Sequence, residues 1–128
     1  DENGEFRGQV NIKKFKVGYS DLLKTNHIGC LTAIMDTKLL DGKIYMPLIE
    51  KRHDHGLWLS ILKQGHTAYG LNEVLAAYRC RKNSISNNKI KTIPYQWELY
   101  RKHENLNLMS SIFYMISYAL HGFYKWNE

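Results

Sequence analysis

The clearest pattern in the chain is an amphipathic helix that opens at Asp54. Apolar side chains recur there at the spacing of one helix face and form the stripe Leu57, Trp58, Ile61 and Leu62. Leu59 lies off this stripe, and Gly65 follows where a helix commonly stops. The pattern predicts a helix with Trp58 in the core and Asp54 as its N-cap, a role that contributes about 1 kcal/mol.

Three other segments have the composition of strands. Residues 28–35 (IGCLTAIM) are nearly all apolar, which is typical of a short strand covered on both faces. Residues 66–71 and 74–80 predict two further short strands, and the polar residues 1–18 predict loops with one weak strand. This order of elements predicts an α/β fold, with α+β as the alternative, in which helices flank a short mixed sheet and further helices follow at the C-terminus.

The C-terminal part, residues 92–128, predicts a helical extension. Pro94 stands where the first turn of a helix accepts proline, and Asn105 predicts the break that ends this helix. Residues 106–126 are mostly apolar and carry no charge before Lys125. They fit an amphipathic helix at a membrane surface better than a spanning helix, and a buried helix fits equally well. Upstream, Ser20 predicts the cap of a short helix at residues 21–24.

Composition limits the class of protein. The 128 residues suffice for one domain, and 44% hydrophobic with 23% charged residues argues against wholesale disorder. The net charge of +6 favours an anionic partner, or it is simply a solvated basic surface. Cys30 and Cys80 are predicted to be reduced and buried, which indicates a cytoplasmic setting, and without a CxxC pair a structural zinc site is not expected. Because the chain starts at Asp1 without an apolar leader, we expect a segment of a longer protein.

Four motifs carry a resemblance to a known family. They are TNHIGCLTAIMD at residues 25–36, HDHGLWLSILKQGHTAYGLNEVLAAYR at 53–79, NSIS at 83–86 and YQWELYRKHE at 95–104. In order and spacing they resemble glycosyltransferase family 2, most closely the bacterial members that build cell-surface polysaccharides. The resemblance covers most of the chain from about Tyr19 onward.

The resemblance implies a GT-A fold, of which this chain would be the C-terminal, acceptor-side half. It implies an inverting enzyme, peripheral on the inner face of the plasma membrane, that transfers a sugar from a nucleotide-sugar donor to a saccharide or lipid-linked acceptor. The divalent metal, manganese or magnesium, would be held mostly by an Asp-x-Asp motif of the nucleotide half, which this sequence lacks. As a fragment, the chain is expected to be inactive and, through an uncovered strand, to form a homo-oligomer.

The resemblance also implies roles for single residues. Asp54 matches the family's catalytic base, which takes a proton from the attacking hydroxyl. His53 replaces the acidic residue that commonly precedes the base, and it is expected to contact substrate. Arg79 or Arg81 would face the donor diphosphate, since a guanidinium binds phosphate oxygens bidentately, but both also fit surface arginines. His53 and His55 flank Asp54, yet neighbouring residues of an extended stretch point to opposite faces, so a shared zinc ion is not expected.

Two alternatives stay open at this point. Ser84 and Ser86 would bind acceptor hydroxyls, or they would merely stabilise a turn. The alternative function for the whole chain is a small basic module that binds nucleic acid through Arg81, Lys82, Lys89 and Lys91. These basic residues do not share one helical face, which weakens that alternative.

Overall fold

The computed structural model describes residues 1–12, 14–40, 42–81 and 90–124, and within them the regular structure is mainly helical. In chain order, the elements are β1 (Lys16–Val17), α1 (Tyr19–Lys24), α2 (His53–Lys63), β2 (Ala68–Tyr69), α3 (Ile93–Glu98) and α4 (Leu108–Tyr124). Three short 3-10 turns lie between them, at Cys30–Thr32, Thr37–Leu39 and Ile90–Thr92. The π-helical segment Leu99–His103 continues α3 without a break.

The core forms where α2 packs against α1 and the segment that follows α3. The predicted stripe of α2 is buried, including Trp58, so the expected helix and its core face are confirmed. Leu59 is also fully buried, because α2 is covered on a second side. A Cβ atom placed on Gly56 would come within 2.9 Å of Pro47 and 3.3 Å of Leu99, which leaves room only for glycine there.

Two side chains of the core hydrogen-bond to carbonyl groups at the C-terminal end of helix α1. The last four carbonyls of a helix have no partner inside it. Here the His55 Nε2 atom lies 2.9 Å from the Leu22 carbonyl, and the Tyr100 hydroxyl donates to the Leu23 carbonyl at 2.5 Å. The His55 and Tyr100 side chains are fully buried. Their hydrogen bonds to the α1 carbonyls offset the cost of burying these polar groups.

The N-terminus of α1 differs from the prediction. Gly18, and not Ser20, is the N-cap, and the Asp21 carboxylate accepts a hydrogen bond from the Gly18 N–H at 3.1 Å. An acid at the third helical position supplies the capping contact, so the serine hydroxyl is not needed for it. Lys14 pairs with the same carboxylate, and these two contacts hold the pKa of Asp21 below its usual value.

Most of the predicted sheet does not form among the described residues. The sheet has two antiparallel strands, in which Lys16 pairs with Tyr69 and Val17 with Ala68. The weak N-terminal strand and part of the 66–71 strand are therefore confirmed, and helices with a small sheet are consistent with an α/β fragment. The predicted mixed sheet is wrong for the described residues, where the sheet has only two antiparallel strands. Residues 28–35 contain a 3-10 turn, and residues 74–80 form no regular secondary structure. A strand requires a hydrogen-bonding neighbour, and neither apolar run meets one within the part of the chain described.

These apolar runs are therefore exposed, and the prediction that the two cysteines are buried is wrong. Cys30 and Cys80 are both exposed and unpaired as free thiols. Ile34, in the same run as Cys30, is 96% exposed, and Val74 is 70% exposed. An apolar run with so little cover fits a surface that packs against another body, either more of the same protein or a second molecule.

The C-terminal helices follow the sequence closely. Pro94 lies in the first turn of α3, and Asn105, with a φ of +54°, ends the helical run. Helix α4 turns one side inward, where Ser111 is buried. The opposite side exposes the apolar set Met109, Ile112, Phe113, Ile116 and Leu120. Across the described ranges, no helix combines the length and the apolar character that crossing a membrane requires.

Candidate active site

The backbone is strained at the point where α2 begins. Arg52 has φ +67° and ψ +27°, in the left-handed region that is unfavourable for a side chain of this size. Its carbonyl accepts the first helical hydrogen bond, from Gly56 N at 2.9 Å, so Arg52 is the N-cap. The prediction that Asp54 is the N-cap is therefore wrong: the helix begins one residue before it, and Asp54 is the second helical residue.

The Asp54 carboxylate lies at the start of α2, where its charge interacts favourably with the helix dipole. It is half-buried in the first turn of α2, and it makes no hydrogen bond or ion pair with the described residues. The N-terminus of a helix carries a partial positive charge that favours an anionic group at this place. A carboxylate that is partly open to solvent and that no described residue hydrogen-bonds can accept a proton from a bound molecule.

The two histidines beside Asp54 lie in different environments. His53 is exposed, whereas His55 is fully buried and faces the Leu22 carbonyl. Burial, as the largest cause, lowers the pKa of His55, so its ring is neutral at pH 7. The two side chains therefore do not converge on one ion. Throughout the described residues, no group of three or more metal-binding side chains comes together.

Arg52 ties the start of α2 to helix α4. Its guanidinium Nη2 donates to the Tyr118 hydroxyl at 2.5 Å, and its central carbon lies 5.3 Å from the centre of that ring. The left-handed backbone costs about 1–3 kcal/mol. The hydrogen bond and the cation–π contact together stabilise the fold by about 1–2.5 kcal/mol. The arrangement therefore contributes little net stability.

Buried polar atoms without partners concentrate in the same place. Arg52 Nε, His55 Nδ1 and both amide atoms of Gln96 are buried and make no well-formed hydrogen bond, and Trp58 Nε1 is another such atom on α2. Gln96 lies beside both His55 and Tyr100 and affects the ionisation of each. The His55 ring, the Gln96 amide and the Tyr100 hydroxyl therefore form one buried polar group of side chains behind the start of α2.

A second carboxylate nearby is engaged differently. Glu50 accepts a hydrogen bond from the Tyr95 hydroxyl at 3.1 Å, and the Lys51 ammonium lies 4.2 Å from the centre of the Tyr95 ring. This exposed group ties the loop before α2 to the start of α3. Since the Glu50 carboxylate already has a partner, it is a weaker candidate for proton transfer than Asp54.

The other predicted site residues are not gathered around Asp54. Arg79 and Arg81 are exposed in the irregular segment after β2, and no hydrogen bond or ion pair joins either of them to His53 or Asp54. Ser84 and Ser86 lie outside the described residues. Sequence reasoning missed Arg52, Gln96 and Tyr118. Nothing in the local pattern distinguishes them, because Arg52 and Tyr118 meet across 66 positions of chain.

Comparison with known proteins supports the resemblance that the motifs indicated. The chain is 48% identical over 101 residues to TuaG of Bacillus subtilis, a glycosyltransferase named for teichuronic acid biosynthesis. It is 36% identical over 111 residues to WfgD of Escherichia coli, named as a UDP-Glc:alpha-D-GlcNAc-diphosphoundecaprenol beta-1,3-glucosyltransferase. WfaP of Escherichia coli carries the same enzyme name and is 33% identical over 110 residues.

These alignments cover most of this chain but less than half of each relative. TuaG aligns over 79% of this chain and 40% of its own length, and WfgD and WfaP each align over 86% and 43%. The aligned region is the C-terminal part of the relatives. No family model matches the chain, and no solved structure matches it. The chain is thus similar to the C-terminal part of bacterial glycosyltransferases of cell-surface polysaccharide synthesis.

Proposed function

We propose that this chain is the acceptor-side part of an inverting glycosyltransferase with a GT-A fold, of family 2, and that Asp54 is its catalytic base. The observation that carries the proposal is the half-buried Asp54 carboxylate, which no described residue engages and which stands in the positive potential of a helix N-terminus. The similarity to named glycosyltransferases over most of the chain supports the reaction class.

In the proposed reaction, the Asp54 carboxylate accepts the proton of the acceptor hydroxyl. The hydroxyl oxygen forms a bond to the anomeric carbon of the donor sugar. The bond between that carbon and the diphosphate oxygen breaks, and its electron pair leaves with the nucleotide diphosphate. Attack and departure occur on opposite faces, so the configuration inverts. General-base help of this kind contributes about 100-fold to 10,000-fold in rate.

The donor would be held mainly by residues that this chain does not supply. Its described residues do not fit a site for manganese or magnesium, because no three suitable ligands converge. A metal would supply charge neutralisation to the departing diphosphate, with ligands from elsewhere in a protein of the relatives' length. Arg79 or Arg81, both exposed, would face that diphosphate, while Ser84 and Ser86 would contact acceptor hydroxyls.

A lipid-linked acceptor would place this protein at the inner face of the plasma membrane. WfgD and WfaP carry names that specify a diphosphoundecaprenol acceptor. The exposed apolar side of α4, which includes Met109 and Phe113, contains no acidic or basic residue and suits contact with a membrane surface. The exposed apolar runs around Ile34 and Val74 would instead be covered by the rest of the protein or, in the isolated chain, by a second copy.

The test compares Asp54→Asn with Glu50→Gln in the complete protein that contains this chain. Asparagine keeps the shape of the side chain, so the fold and donor binding should be retained while turnover falls about 100-fold to 10,000-fold. Glu50→Gln serves as the matched control and should keep near-normal turnover. Normal turnover by Asp54→Asn together with inactive Glu50→Gln would transfer the role to Glu50.

The isolated 128-residue chain should turn over no nucleotide sugar and bind none tightly. The same preparation tests the nucleic-acid alternative, which no similarity supports. Of the basic residues in that alternative, Lys82 and Lys89 lie outside the described residues. Binding to random oligonucleotides that weakens steeply with salt would favour the alternative over the enzyme.

A further inference from the structure

We infer that Arg52 and Tyr118 form a positioning pair that sets the orientation of Asp54, an inference that rests on the proposed role of Asp54 as the base. The pair consists of the Arg52 guanidinium and the Tyr118 hydroxyl, joined by the 2.5 Å hydrogen bond and the cation–π contact described above. Neither side chain needs to touch substrate for this role.

The first argument is the position of Arg52. It is the residue that fixes the backbone direction where α2 begins, and Asp54 follows two positions later in the first turn. A left-handed residue at this point directs the chain so that His53 is exposed, Asp54 is half-buried and His55 enters the core. A change in the Arg52 conformation would therefore rotate the first turn and move the carboxylate.

The second argument is that stability does not explain the pair. Arginine is a poor choice for a left-handed residue, where glycine or asparagine is accommodated more easily. The contacts with Tyr118 roughly offset the strain, and the Arg52 Nε atom is buried without a partner. A strained residue that persists without a gain in stability is typical of a site where geometry matters for function.

The third argument is that the pair connects the start of α2 to a separate helix, α4. Tyr118 lies on α4, the helix whose opposite side is exposed and apolar. The same helix contacts α1, which packs against α2, and α3, whose Gln96 lies beside His55. Arg52 is therefore held by a separately packed element and not by its own loop. Catalytic groups require this kind of support, since a misplacement of about 1 Å can reduce the rate about 100-fold.

The experiment uses Tyr118→Phe in the complete protein, which removes the hydroxyl and keeps the ring. The expected result is a kcat about 10-fold to 100-fold lower, with the KM for the nucleotide sugar changed less than about 2-fold. Tyr114→Phe is the matched control, because Tyr114 is a half-buried tyrosine of the same helix that packs against Tyr100 and Phe113. It should retain normal kcat.

Combining Tyr118→Phe with Asp54→Asn distinguishes a positioning role from a general one. If the pair acts through Asp54, Tyr118→Phe should cause no further loss in the Asp54→Asn background. A further loss of the same size as in the wild type would overturn the inference. The inference would also be overturned if Asp54→Asn had low turnover while Tyr118→Phe were fully active. That result would still support Asp54 as the proposed base. Normal turnover by Asp54→Asn would contradict both the proposed base and the positioning pair.

Arg52→Gly keeps the inference testable if the tyrosine variant is poorly folded. Glycine accepts a φ of +67° without strain, so the melting temperature should stay close to that of the wild type. The kcat should nevertheless fall as far as in Tyr118→Phe, because the link to α4 is lost. An Arg52→Gly protein with wild-type kcat would show that the backbone conformation is sufficient and the pair is not needed.

Discussion

The hydroxyl of Tyr100 offers a sharp test of how this core is held together. Tyr100 is fully buried, and its hydroxyl donates to the Leu23 carbonyl at 2.5 Å. That carbonyl is among the last four of α1, so it has no partner within the helix. Tyr100→Phe keeps the ring and removes only the donor, which leaves a buried acceptor unsatisfied. We expect a loss of about 1–3 kcal/mol in the free energy of unfolding.

Urea unfolding at pH 7 measures this loss directly. With a typical slope of about 2 kcal/mol per molar urea, a loss of about 2 kcal/mol lowers the midpoint by about 1 M. Tyr69→Phe is the matched control, because Tyr69 is 75% exposed on the edge of the small sheet and should change the midpoint little. The reasoning fails if both variants have the wild-type midpoint.

The same side chain predicts a loss of stability in alkaline solution. Burial, as the largest cause, raises the pKa of Tyr100 well above the value of about 10 that it has in the unfolded chain. The folded protein therefore retains a proton that the unfolded chain releases, and stability present below pH 10 is lost progressively above it. Tyr19 contributes in the same direction. Tyr100→Phe should reduce this dependence between about pH 10 and pH 11.

Two further predictions concern other buried groups. Lys63→Met should lower the free energy of unfolding by about 1–3 kcal/mol, because it removes the cation that lies 3.2 Å from the buried Glu104 carboxylate. Thermal unfolding measures this loss. Lys102→Met is the control, because its partner Glu98 is exposed. Burial lowers the pKa of His55 below the value of about 6.5 that it has in the unfolded chain. The stability that is present above about pH 6.5 should therefore be lost as the pH falls below it, by at most about 1.4 kcal/mol per pH unit. Urea midpoints from pH 7 to pH 5 should therefore fall less in His55→Gln than in the wild type, and equal slopes would contradict the assignment.

Local signals in the sequence were sufficient to locate the helices, although both predicted N-caps, Ser20 and Asp54, were wrong. The stripe of α2, the glycine at Gly65, the proline at Pro94 and the break at Asn105 each act within a few residues, so their effect can be read without knowing the rest of the fold. The buried Leu59 was missed because α2 is also covered away from its apolar stripe, as at Gly56, where Pro47 and Leu99 approach from other parts of the chain.

The predicted strands failed for the complementary reason. An apolar run such as residues 28–35 shows that the segment prefers cover, but a strand also requires a neighbour of the right register. The described chain does not supply that neighbour, and the segment forms a 3-10 turn with exposed side chains. The same limit applies to the site, where a single residue, Asp54, could be proposed from its motif, while the Arg52–Tyr118 contact could not.

The two ends of α2 show how one helix can serve stability and chemistry separately. At its C-terminal end, the buried Glu104 carboxylate is fully engaged by the Tyr19 hydroxyl and Lys63, with His103 at 3.7 Å. At its N-terminal end, the backbone is strained, and Arg52 Nε and His55 Nδ1 are buried without a well-formed hydrogen bond. Sequences usually satisfy local rules everywhere except where function requires otherwise. The contrast within one helix is therefore consistent with the proposed role of Asp54 at the start of α2 and gives no comparable support to its end.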